Sequence, residues 1–308
     1  MTRSLGVAAV LTAGIAVAVG VTVLLRPETE GTRSGRILVP GADFPVALTP
    51  LPDGDLLYAE RLTGRVRRVA SSGALDPRPV AQVEVATKGQ RGLVGLAAVG
   101  REIFAAWTRP LGDLVVGRVA PGPVRIVWRG PRSAELANGG HLAGTPDGSL
   151  LVGIGDLQQP ERVDDPRAPN GKILRLDPAG GQNQQPEVVS GGWNNPFAFD
   201  VTLEGELWVA DNDPGDVPER LVRVGPDGAM AFETELPADT APSGLAVTPD
   251  GLVVCGFRSK ALLPYRVVDG RAEPAGPPLA EDCETGVALL ADDHLVYARR
   301  DAILVADG

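Results

Sequence analysis

Residues 137–178, ANGGHLAGTPDGSLLVGIGDLQQPERVDDPRAPNGKILRLDP, decide how the rest of the chain is read. A Gly-rich entry leads into an apolar run, a Pro146-Asp147-Gly148 turn and a second apolar run, Leu150 to Ile154. In such a turn Pro presets φ and Gly accepts a positive φ, so two antiparallel strands are expected on either side. A long polar excursion follows. Lys172 to Leu176 (KILRL) then alternates as a half-buried strand should.

The same unit recurs five more times. Its copies run from Phe44 to Ala70, Gly92 to Ala120, Pro196 to Val224, Ser243 to Val268 and Thr285 to Asp307. Their first turns, at Asp53-Gly54, Val99-Gly100, Asp147-Gly148, Glu204-Gly205, Asp250-Gly251 and Asp292-Asp293, are roughly 42 to 57 residues apart. That period belongs to propeller blades rather than helical repeats. The sequence therefore predicts an all-β, six-bladed β-propeller over residues 36–308. The sixth unit ends after three strands, while Arg36 to Val39 (RILV) is a spare strand ahead of the first. Pairing the two would join the chain ends and remove an open sheet edge.

Ahead of the propeller, Leu5 to Leu25 is uninterrupted by charge between Arg3 and Arg26. About 21 helical residues span roughly 31 Å, the thickness of a bilayer core. A cleaved signal has a shorter apolar core followed by small residues. The expectation is one N-terminal transmembrane helix, an anchor or uncleaved signal over residues 1–26, then a polar linker over 27–35. The propeller would lie outside the cytoplasm, and would be secreted if the segment were cleaved. Cys255 and Cys283 are the only two cysteines, and in an exported domain they could form one bridge.

A formal net charge of −10 over 308 residues argues against a nucleic-acid partner, which needs a basic face. Lys and Arg are scattered along the chain, and nothing in their order suggests a polyanion ligand.

In a propeller the residues just before each inner strand ring one mouth of the central channel. Here they include Gln90, Asn138, Asn194 and Asn195. Amide side chains both donate and accept hydrogen bonds, which suits a polyhydroxyl or carbonyl ligand, a sugar or glycan, better than a phosphate. Asp211, Asp213, Asp216 and Glu219 form an oxygen-rich stretch that could hold Ca²⁺, or simply a solvated turn.

Five motifs in register, GQRGLVGLA, ANGGHLAGTPDGSLLVGIGD, NGKILRLDP, SGGWNNPFAFD and ELWVADNDPGD, resemble the glucose/sorbosone dehydrogenase family. The resemblance implies a six-bladed propeller related to aldose sugar dehydrogenases that use pyrroloquinoline quinone (PQQ). It also implies calcium in comparable loops, and cofactor-binding roles for Gln90, Asn138, Asn194, Asn195 and Arg258. The family's catalytic His position is Ala137 here, which cannot accept a proton. His141 is a weak substitute, since four extended residues carry it about 13 Å further along its strand. The family's Arg beside the quinone is Asn194. The resemblance thus implies an oxidoreductase whose chemistry is impaired. The alternatives are a non-catalytic sugar-binding propeller or, third, a lactonase-like hydrolase.

Overall fold

Each repeat folds as one antiparallel four-stranded sheet in the computed structural model, which describes residues 34–213 and 217–306. Blade 1 comprises β2 (Pro45–Pro50), β3 (Leu56–Glu60), β4 (Arg65–Val69) and β5 (Ala81–Gln82), and the spare strand ahead of it is β1 (Arg36–Pro40). Blade 2 is β6 (Leu93–Val99), β7 (Glu102–Thr108), β8 (Asp113–Ala120) and β9 (Arg125–Arg132). Blade 3, built on the opening stretch, is β10 (Gly139–Gly144), β11 (Leu150–Ile154), β12 (Lys172–Leu176) and β13 (Glu187–Gly191). Blade 4 is β14 (Ala198–Val201), β15 (Leu207–Asp211), β16 (Arg220–Val224) and β17 (Met230–Glu235). Blade 5 is β18 (Pro242–Thr248), β19 (Gly251–Gly256), β20 (Leu262–Val268) and β21 (Arg271–Pro274). Blade 6 is β22 (Gly286–Leu289), β23 (Leu295–Arg299) and β24 (Ala302–Val305), completed by β1. The fold is therefore an all-β six-bladed propeller. Among the described residues the one helical turn is a 3₁₀ turn, Pro160–Arg162. No helix among them is long and apolar enough to cross a membrane. The expected N-terminal helix, Leu5 to Leu25, lies outside the described residues.

The inner strands touch in sequence, β2 to β6, β10, β14, β18 and β22, and β22 returns to β2. Crowding around the axis explains the small residues there. A side chain on Gly95 would place its first carbon 2.1 Å from the Gly140 carbonyl oxygen of the next inner strand. Between blades, apolar faces stack into closed clusters; Phe104, Leu150 and Val152 fill one between blades 2 and 3, with none of the three exposed.

Closure runs as the spare strand requires. Arg36 opposes Val305, Ile37 opposes Leu304, and after a register shift Val39 opposes Ile303. Gly35 N donates to the Tyr297 hydroxyl at 2.6 Å, which donates to Asp282 Oδ1 at 2.6 Å. Val39, buried at 2 %, seats this strand in the blade 6 core. Blades 5 and 6 are also joined covalently. Cys255 on β19 and Cys283, just before β22, form a fully buried disulfide with a Cα separation of 5.7 Å.

Two outcomes follow from the joined ends. Val39→Asp places an unpaired carboxylate in the closing blade and should lower unfolding stability by about 3 kcal/mol or more, read by urea titration. Cys255→Ala with Cys283→Ala opens a cross-link spanning 28 residues and should cost about 2 to 4 kcal/mol by the same measurement. A double variant as stable as the parent would show that the bridge constrains nothing.

Candidate functional site

One mouth of the channel is built from the residues that precede the inner strands and those that follow the second strands. It holds two adjoining compartments of about 160 and 710 Å³ that share Gln90, Asn212, Ala241 and Phe257 in their walls. Gln90 Oε1 accepts the Ala137 N–H at 2.7 Å, so the amide braces the chain entering blade 3. Ala137 lines the larger compartment in a left-handed conformation, φ 52°. Asn194 also lines that compartment and donates Nδ2 to Asp156 Oδ2 at 2.9 Å. Asn195 lines the smaller one, and its Oδ1 accepts Gly139 N–H at 2.9 Å. Asn138 is turned away into the protein, buried at 2 %, with Nδ2 donating to Ala134 O at 3.2 Å. Arg258 reaches the wall of the larger compartment but is mostly exposed and paired with Asp239 at 2.7 Å.

Asp211 organises this mouth from beneath. Fully buried at the end of β15, its carboxylate accepts the N–H groups of Asn194 and Asn195, at 3.1 and 2.8 Å, and Arg220 Nη2 at 3.2 Å. Burial pushes its carboxyl upward against those donors. Glu219 accepts the Ala241 N–H at 2.7 Å, and Asp213 lines the larger compartment. Burial raises both carboxyls. Asp211 and Glu219 thus hold backbone, while Asp216 lies outside the described residues. Among the described residues no group of three or more His, Cys, Asp or Glu side chains is placed to hold a metal ion.

The fold also brings to the mouth residues that the reading of strand entries missed. Asp156, just after β11, lines the larger compartment; its carboxyl is raised by burial, against hydrogen bonds from Gln158 N–H and Asn194. Phe44, Arg61 and Phe257 line the smaller one, with the Arg61 guanidinium 4.9 Å from the Phe44 ring centroid and Arg300 4.9 Å from that of Phe257. Burial and the neighbouring Arg300 charge lower the Arg61 pKa. The mouth is therefore divided. One side is aromatic, with Arg61 and Glu284 as the charged residues on its wall. The other is acidic, with Asp156, Asp213, Glu219, Glu235 and Asp239 around Arg258.

His141 belongs to the other end of the channel. It lines a cavity of about 940 Å³ among the hairpins that follow the inner strands, edge-on to Phe199 with ring centroids 4.7 Å apart. Burial lowers its pKa from the ordinary 6.5 to about 4, opposed by a hydrogen bond to the Phe199 backbone. A depressed imidazole pKa means the unfolded chain takes up the proton first, so its stabilising effect is lost as pH falls from 6.5 towards about 4. Replacing His141 by Gln, which does not ionise, should flatten the fall in urea midpoint between those pH values relative to the parent. Parallel pH profiles for the two proteins would contradict a neutral imidazole held in the folded state.

The glucose/sorbosone dehydrogenase family model matches residues 42–219. Among solved structures, an oxidoreductase (glucose dehydrogenase) from Thermus thermophilus superposes with a TM-score of 0.73 at 26 % identity, over 88 % of this chain and 99 % of that one. The PQQ-bound aldose sugar dehydrogenase of Streptomyces coelicolor gives 0.74 at 23 %, over 88 % and 96 % of the two chains. The apo-form aldose sugar dehydrogenase of Escherichia coli gives 0.73 at 19 %, over 89 % and 98 %. No curated protein matches the sequence significantly. With more than half its length matched by the family model and the six-bladed propeller in place, the chain belongs to the glucose/sorbosone dehydrogenase family.

Proposed function

We infer that this chain is a sugar-binding propeller of the dehydrogenase family whose oxidation of sugars at C1 is impaired. The observation that carries the reading is Ala137. It stands at the mouth, and by the resemblance it corresponds to the family's base, so that it offers a methyl group where a proton acceptor would be needed. The one histidine near it in sequence, His141, lines the opposite end. General base catalysis contributes about 10²- to 10⁴-fold, or roughly 3 to 5.5 kcal/mol of barrier.

The charge around the larger compartment supports the same reading. PQQ carries three carboxylates, and a site for it needs cations. Five carboxylate side chains stand there around Arg258, which is itself paired with Asp239. Those residues do not fit a tricarboxylate anion. They do suit a neutral polyhydroxyl ligand, whose hydroxyls donate to carboxylates and to amide oxygens and accept from Asn194 and Gln90. Phe44 and Phe257 in the wall of the smaller compartment supply apolar surface against which a sugar ring can pack. The buried Cys255–Cys283 bridge favours an oxidising compartment. With the charge-free run Leu5 to Leu25 it supports a propeller held outside the cytoplasm by an N-terminal anchor.

The full-length protein, titrated with glucose or maltose by calorimetry, should bind saturably while reducing dye negligibly even with PQQ present. Ala137→His alone should restore little, because Asn194 leaves the family's guanidinium missing. Ala137→His with Asn194→Arg should exceed the product of the single changes, since both act on one bound complex. Robust parental turnover that collapses in Asp156→Asn would overturn the reading and assign a carboxylate as base.

A further inference from the structure

A groove of about 910 Å³ lies on the outside of the propeller, between β9 of blade 2 and the loops of blade 3. Its walls carry Arg129, Arg132, Arg162 and Arg167, and no Asp or Glu lines it. That is unexpected in a chain with 39 acidic and 29 basic residues. Within the described residues Arg129 alone of the four forms an ion pair, with Asp113 at 3.7 Å, and Asp113 is shared with Arg109. Arg162 donates to the Gln159 amide at 3.2 Å. Positions 129, 132, 162 and 167 are unremarkable as sequence, and folding gathers them.

Both walls are fixed by hydrogen bonds rather than left as open loop. On one side the chain at Gln182–Gln184 is fastened along β9. Arg129 N–H donates to Gln182 O at 2.9 Å, Trp128 bridges Asn183, and Gln184 Nε2 donates to Val127 O at 2.7 Å. On the other side Lys172, buried at 4 %, gives all three ammonium protons to loop carbonyls. It donates to Val163, Asp165 and Asn170 at 3.0, 2.9 and 3.1 Å, and so holds the excursion that presents Arg162 and Arg167. Glu161, Asp164 and Asp165 lie on the same excursion but not on the groove wall. Asp165 turns its carboxylate back to the Arg167 N–H at 2.9 Å.

We propose that this groove binds an acidic oligosaccharide, its carboxylates on the arginines and its hydroxyls on the amides. Guanidinium groups match carboxylates in a planar fork. Gln159, Gln182 and Gln185 add groups that donate and accept, as hydroxyls require. Pro131, Pro166 and Pro169 give flat apolar walls for ring faces. The volume is that of a multi-ring ligand rather than a single small ion. The groove is separate from the channel mouth, so the proposal stands whether or not the mouth oxidises sugar.

The test uses the full-length protein and hexagalacturonate, with maltohexaose, inorganic phosphate and sulfate as comparison probes, by calorimetry. Hexagalacturonate should bind, and its affinity should fall as salt rises from about 50 to about 200 mM. Arg132→Gln with Arg167→Gln should weaken it at least about tenfold, the loss expected from two charge-assisted contacts. Arg78→Gln with Arg101→Gln, exposed sites in blades 1 and 2 with the same charge change, should leave it unchanged. Thermal unfolding confirms that each variant is folded, and the single changes serve if the double one is not. Absence of hexagalacturonate binding, maltohexaose binding that Arg132→Gln with Arg167→Gln weakens equally, or phosphate or sulfate binding as tightly would each overturn the proposal, whereas maltohexaose bound at the mouth would be insensitive to that pair. So would equal weakening in both double variants.

Discussion

Everything in this propeller depends on closing the ring. Six wedge-shaped sheets lean on one another, and none keeps its neighbours unless the last blade also packs on the first. The contact of β22 with β2 and the pairing of β1 with β24 provide that closure, and the Cys255–Cys283 bridge ties blade 5 to the closing blade. Because closure is a long-range contact, the mouth is held by residues far apart in sequence. Asp211 is the clearest case. Its buried carboxylate fixes the backbone of Asn194 and Asn195, and through them the amide wall of the site. Replacing it would move two mouth residues at once.

The division of the mouth decides its chemistry. Arg61 and Arg300 stack on Phe44 and Phe257 on one side, while five carboxylates surround Arg258 on the other. A ligand with three negative charges finds a single paired cation in the larger compartment. A neutral polyol finds acceptors and donors. The family scaffold is kept; in the function proposed here, the proton acceptor and the anion-neutralising charge that sugar oxidation would use are the parts that have changed.

The fold was legible because turn chemistry is local. Pro146-Asp147-Gly148 and its five counterparts mark the hairpins, and their spacing gives the blade count without knowledge of contacts. The spare strand at Arg36 was legible for the same reason: one unit ends a strand short. The mouth was legible in part. Gln90, Asn194 and Asn195 precede inner strands, so topology alone places them, but Asn138 points inward and braces Ala134. Asp156, Arg61 and Phe257 follow second strands, and strand entries do not announce them. The acidic stretch after β15 reads as a cation loop by composition. Asp211 instead spends its oxygens on N–H groups 16 and 17 residues earlier, a pairing that only blade packing creates. The arginine groove was invisible because its members come from two blades.

The most direct test of the central claim follows the sugar itself. The full-length protein, supplied with PQQ, an electron-accepting dye and glucose labelled with ¹³C at C1, can be monitored by ¹³C NMR over many hours. The account predicts that the C1 signals remain those of the two glucose anomers, with binding visible only as exchange broadening. Steady growth of gluconolactone and gluconate carbonyl signals above a protein-free control would contradict it.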